Sequence, residues 1–140
     1  MGTRTLVHIK DGKKTIATIY RQYDGYPTGM GNDIKNALNL GNVTILNGYN
    51  SHAIPSNFNG MGCLAAFLIG ELKQKKIGNV YIYPANSKDA GEDYTYTLTE
   101  SGGKVKLKVV ESYNNKTIFN GLLKDFDGET VEGLDKEDAS

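Results

Sequence analysis

The sequence predicts an α+β domain in which an antiparallel or mixed sheet of about six to seven strands carries two helices, in the order ββαβαββββ. Three observations carry this expectation. Segments rich in β-branched residues are joined by short hairpin turns, two stretches have apolar residues at helical spacing, and each of those stretches follows a glycine-rich turn.

Residues 3–10 and 15–22 are β-branched runs separated by Asp11-Gly12-Lys13-Lys14, and Asp-Gly between such runs is a strong hairpin signal. After Pro27, the residues Met30, Ile34, Ala37 and Leu38 recur at helical spacing and Gly41 supplies a stop, which predicts a helix over residues 28–40. Residues 43–46 form a short strand candidate. Residues 47–60 are polar, contain Pro55 and lack periodicity, so an irregular loop is expected there.

Leu64, Leu68 and Leu72 then share one face of a central helix over residues 61–76, with Lys73, Lys75 and Lys76 in its last turn. Four strands follow, at residues 79–83, 94–99, 104–111 and 116–122. From Asp125 the chain turns acidic and offers little to bury beyond Phe126, Val131 and Leu134. A single domain over residues 1–124 and a frayed acidic tail over residues 125–140 are therefore expected.

The bulk numbers narrow the function classes. The chain has 140 residues, 39% hydrophobic and 23% charged, with a formal net charge of zero, so it lacks the electrostatic footprint of a general nucleic-acid or membrane-surface binder. The longest apolar stretch, residues 61–69, is far below the ~20 residues that cross a bilayer. One cysteine, no secretory signal pattern and no disulfide partner predict a soluble protein of a reducing cytoplasm.

The two glycine-rich turns are the most informative motifs. Asp24-Gly25-Tyr26-Pro27-Thr28-Gly29-Met30-Gly31 and Asn57-Phe58-Asn59-Gly60-Met61-Gly62 each precede a helix, where unpaired backbone N–H groups and the positive dipole end attract anions. Side by side they would hold a ligand with two anionic groups, with Tyr20, Tyr23, Tyr26 and Phe58 as stacking surfaces, Arg21 as a phosphate partner and Tyr83 nearby. Neither is a Walker loop or a full dinucleotide fingerprint, and tight turns flanked by packed tyrosines explain the same residues.

The start Met1-Gly2-Thr3-Arg4, the block Tyr20-Arg21-Gln22-Tyr23-Asp24-Gly25-Tyr26-Pro27, the stretch from Phe58 through Ala66 and Tyr81-Ile82-Tyr83-Pro84 resemble a group of small uncharacterised proteins of phages and bacteria. The resemblance spans most of residues 1–96 and implies a phage or prophage context, hence host cytoplasm, without a chemistry. By analogy with small phage proteins that lack a catalytic signature, the expected partner is a small anionic ligand such as a cyclic nucleotide or an ADP-ribose derivative that serves as a host defence signal.

Two other classes stay open. Cys63 follows Gly62 at a helix start, a position that lowers a thiol pKa, and His52 would be its base in a cysteine-dependent hydrolase. Against that, Cys63 is a small residue expected to pack at a helix–sheet contact beside the second turn. A phage structural or partner-binding protein, including a homo-oligomer, would use exposed tyrosines as anchors. His8, between Val7 and Ile9 on a strand, is expected on a sheet face. Asp89, Glu92 and Asp93 read as solvated loop charge, and Asp125-Phe126-Asp127-Gly128-Glu129 departs from a calcium loop in the place of its glycine. With one cysteine and two histidines, no structural zinc site is expected, and neither another metal nor a cofactor.

Overall fold

The computed structural model describes residues 2–46, 57–88 and 90–139. The chain opens with a hairpin of β1 (Thr5–Asp11) and β2 (Lys14–Arg21), turned at Gly12 with φ +63°. A helical segment leads through α1 (Asn32–Ala37) to β3 (Thr44–Leu46), and β4 (Asn57–Asn59) runs into α2 (Gly60–Lys73). Then come β5 (Val80–Tyr83), β6 (Tyr94–Ser101), β7 (Lys104–Glu111), β8 (Lys116–Leu122) and α3 (Gly128–Ala139). The architecture is mixed α+β, as the hairpin signals and helical spacing indicate.

The strands form one mixed sheet in the order β4-β3-β7-β6-β1-β2-β5, with β8 also on β7. Most neighbours are antiparallel, but β1 and β6 run parallel from Thr5 opposite Tyr94 to Ile9 opposite Leu98. That joint links the N-terminal hairpin to the rest of the sheet. β6 occupies one edge of β7. On the other edge β8 pairs from Lys106 to Glu111, while β3 takes over at Lys104.

Alternation along the strands builds the core. Ile19, Val7, Tyr96 and Val109 form one cross-sheet row, and Ile9, Leu98 and Leu107 the next, all fully buried. Met30, Ile34 and Leu38 from the first helical segment and Met61, Leu64, Ala65 and Leu68 from α2 complete the same cluster. Burying each large apolar side chain contributes roughly 1.5–3 kcal/mol.

The helix expected over residues 28–40 is broken into three pieces. A single π-helical turn (Pro27–Gly31) precedes α1, and the chain then leaves helical geometry at Leu38, with Asn39 and Leu40 at positive φ. The physical reason is Gly41, at φ +86°, where an added Cβ would lie 2.4 Å from the backbone of Lys124. Close approach of two chain segments thus ends the helix early. α2 stops at Gln74, whose left-handed φ of 46° lets its N–H bond Gly70 O.

Two elements were not foreseen. β4 falls inside the expected irregular loop, and residues 128–139, expected as a frayed tail, form α3. Phe126 is fully buried, meets Phe119 edge-on at 5.2 Å, and with Val131 packs into the core. Sparse apolar residues suffice when each finds a slot. No helix among the described residues is long and apolar enough to cross a membrane.

Candidate functional site

The first glycine-rich turn is built for packing. β2 ends at Arg21, Tyr23 N–H bonds the Asn79 side chain at 2.9 Å, and Asp24 takes the left-handed φ of 61°. Gly25 N–H donates to Thr3 O and Gly25 O accepts from the buried Tyr96 hydroxyl at 2.8 Å. Burial pushes that phenol's pKa well above its ordinary value of 10.0. A Cβ on Gly29 would sit 2.3 Å from Asp24 O, and one on Gly31 2.5 Å from Phe126 Cζ. Both glycines are required by neighbours within the chain.

The anion expected at this helix start is supplied by the chain itself. Thr28 N–H and the Thr28 hydroxyl both donate to Glu132 Oε1 of α3 at 2.7 Å, and Gly128 N–H donates to Asn32 Oδ1. A carboxylate at this position suits the positive dipole end of the helical segment. Tyr26 donates to Asp24 Oδ1 at 3.1 Å, which raises the Tyr26 pKa, and Tyr26 remains exposed.

The second turn is different. Asn57 and Asn59 pair with Thr44 and Leu46 in the sheet, and Phe58 is buried with its ring 5.2 Å from Phe67, so it offers no stacking surface. Gly60, at φ +80°, and Gly62 have open space where a Cβ would go, and α2 has no side-chain cap. Among the described residues no hydrogen bond or ring contact links the two turns.

Cys63 is exposed, so the expected packing role is corrected: Leu64 and Ala65 take the buried face of α2 and Cys63 the outer one. His52 lies outside the described residues. His8, the other histidine, is bonded through Nδ1 to Thr18 Oγ1 at 2.8 Å, on the sheet face where alternation put it. No cluster of three metal-type ligands occurs among the described residues.

The aromatics divide similarly. Tyr83 stacks on Tyr20 with centroids 4.8 Å apart and planes at 15°, so one face of each ring is already covered. Tyr81 leans on Tyr20 at 6.0 Å and lies under the Lys73 ammonium, 5.6 Å from its ring. Tyr23 lines a cleft of about 480 Å³ with Arg4, Gln22 and Asp93.

Arg21 heads a distinct cleft of about 420 Å³, between α1, the end of α2 and the turn before β5. Its Nη1 is 2.7 Å from Asp33 Oδ2 and 3.0 Å from Met30 Sδ, while its Nε is buried without a partner. Asn36, Glu71, Gln74, Lys76 and Asn79 add polar groups to the same cleft. Gln74 and Asn79 both hold left-handed φ, which fixes the turn between α2 and β5 along its rim. Of these residues the sequence pointed only to Arg21. The others come from three separate segments whose meeting no local pattern encodes.

Comparison with family models, with curated proteins and with solved structures gives no match for the chain.

Proposed function

We propose that this protein binds a small, charged, polar ligand in the Arg21 cleft and retains it unchanged. The observation that carries this reading is the cleft itself, whose volume of about 420 Å³ falls in the range of small-molecule sites and whose lining is mostly polar. A largely buried guanidinium pinned by Asp33 is preorganised, so binding costs little ordering of its side chain. Arg21 and Lys76 suit anionic groups, and Asn36, Gln74, Asn79, Asp33 and Glu71 suit the hydroxyl and amide groups of a nucleoside.

A nucleotide-derived host defence signal, a cyclic nucleotide or an ADP-ribose derivative, has this chemistry, and the resemblance to small phage proteins supplies the biological setting. Such a protein acts by sequestration and needs neither catalyst nor cofactor. Incubation with these nucleotides, removal of free ligand, heat release and chromatography test the reading. Recovery of an unaltered nucleotide, reduced by Lys76→Gln and Asn36→Ala, is expected. Recovery of a converted product, or retention of none of them, refutes it.

A second reading has one observation in its favour. Tyr81, Ile82 and Ile77 are exposed on or beside the terminal strand β5, by 42, 62 and 101%. Uncharged edge strands of this kind pair with other chains, which favours a partner-binding or self-associating protein. Light scattering of the wild type and of Ile82→Lys separates the two, since only the second reading expects the variant to change the molecular mass.

A further inference from the structure

On the opposite sheet face from the core, a separate cleft of about 320 Å³ lies where the chain after β5 arches over β1, β2 and β6. The register places His8 between Thr97 of β6 and Thr18 of β2, with Lys10 and Thr15 paired one step along. The arch is fixed by three bonds: Ser87 N–H and the Ser87 hydroxyl both donate to Pro84 O, and Ala85 O accepts from the Thr18 hydroxyl at 2.7 Å. Lys88 closes the rim. Among the described residues the lining carries two ammonium groups and no carboxylate.

The Thr18 bond also fixes the imidazole. A carbonyl cannot donate, so the single hydroxyl proton of Thr18 lies toward Ala85 O, and the 2.8 Å contact with His8 must use the proton on His8 Nδ1. The neutral ring therefore keeps its lone pair on Nε2. Burial lowers the His8 pKa, Lys10 and Lys88 lower it further and Glu92 opposes them, so the ring is neutral at pH 7. Glu92 itself is held by Ala90 N–H at 2.7 Å, outside the cleft lining.

We infer that this cleft binds a phosphate monoester bearing a free hydroxyl group, with the Lys10 and Lys88 ammonium groups on the phosphate and His8 Nε2 accepting from the hydroxyl. Two ammonium groups in one lining attract a dianion without a geometric demand, and an acceptor in the same lining favours an anion that also donates. This site shares no residue with the Arg21 cleft, and its test is independent of that reading.

The experiment is an NMR titration of the full chain with ribose 5-phosphate, sulfate and ribose, following the His8 ring nitrogens. The free protein is expected to show a proton on Nδ1 and none on Nε2. Ribose 5-phosphate is expected to shift Nε2 and to bind about tenfold more tightly than sulfate, the worth of one added hydrogen bond, and at least tenfold more tightly than ribose, which lacks the group the two ammonium ions hold. Lys88→Gln and Lys10→Gln should each weaken that binding by a similar factor while leaving the Nδ1 proton in place. A proton on Nε2, equal affinity for all three probes, or no response of the His8 ring to ribose 5-phosphate would overturn the assignment.

Discussion

The two glycine-rich turns look alike in sequence and should respond in opposite directions to the same substitution. In Gly29→Ala the new methyl group would fall 2.3 Å from Asp24 O and 3.0 Å from Tyr26 Cε2. The first neighbour is backbone, held by a 2.7 Å bond from Met30 N–H, so it has no rotamer by which to withdraw. Overpacking of this kind costs about 1–3 kcal/mol, and a backbone obstacle argues for the upper part of that range. In Gly62→Ala the methyl group enters open space on a helix, which stabilises by about 0.5–1 kcal/mol. At about 3 °C per kcal/mol for a chain of this size, the first variant should melt roughly 6–9 °C below the wild type and the second ~2–3 °C above it. Differential scanning calorimetry on both proteins checks this. Equal melting temperatures, or a Gly29→Ala protein as stable as the wild type, would refute the packing account of the first turn.

Three further outcomes are expected. Tyr96→Phe removes the buried hydrogen bond to Gly25 O and should cost about 1–3 kcal/mol by urea unfolding. Because the folded Tyr96 pKa is raised, its contribution holds below pH 10.0 and is lost as pH rises through the folded value, so the wild type should lose stability at high pH more steeply than the variant. The folded His8 pKa is lowered, so the unfolded chain takes up its proton first. Stability from His8 is present above pH 6.5 and declines as pH falls below it, and His8→Gln should flatten the urea midpoint between pH 7 and pH 5. Glu132→Ala deprives Thr28 of its acceptor, so the amides from Gly128 to Glu132 should exchange faster with deuterium, and unchanged exchange would show that the pair does not hold α3.

Local patterns revealed much of the framework. β7 matches its expected bounds because it combines alternation with a turn of defined chemistry at Gly102 and Gly103, both at positive φ, and β8 matches because turn residues, with Asn115 at positive φ, bound it. What stayed hidden depends on distant residues. α3 is stabilised by a Phe126 slot that Gly31 leaves open, and β4 exists because β3 offers it an edge. Glu132 had the composition of a tail residue until Thr28 was placed beside it. The Arg21 cleft was legible only through Arg21, since Asn36, Gln74 and Asn79 carry no signal until the ends of α1 and α2 meet the turn before β5.

The parallel joint between β1 and β6 also has a consequence for biosynthesis. Thr5 and Tyr94 are 89 residues apart, so at a synthesis rate of ~5–20 residues per second β1 waits roughly 5–20 s for its partner strand. Throughout that interval the β1 edge of the nascent hairpin presents a ladder of free N–H and C=O groups, flanked by Leu6, Val7 and Ile9, and the β2 edge is open as well until β5 is made. Yield in the cell should thus depend on how fast the ribosome reaches β6.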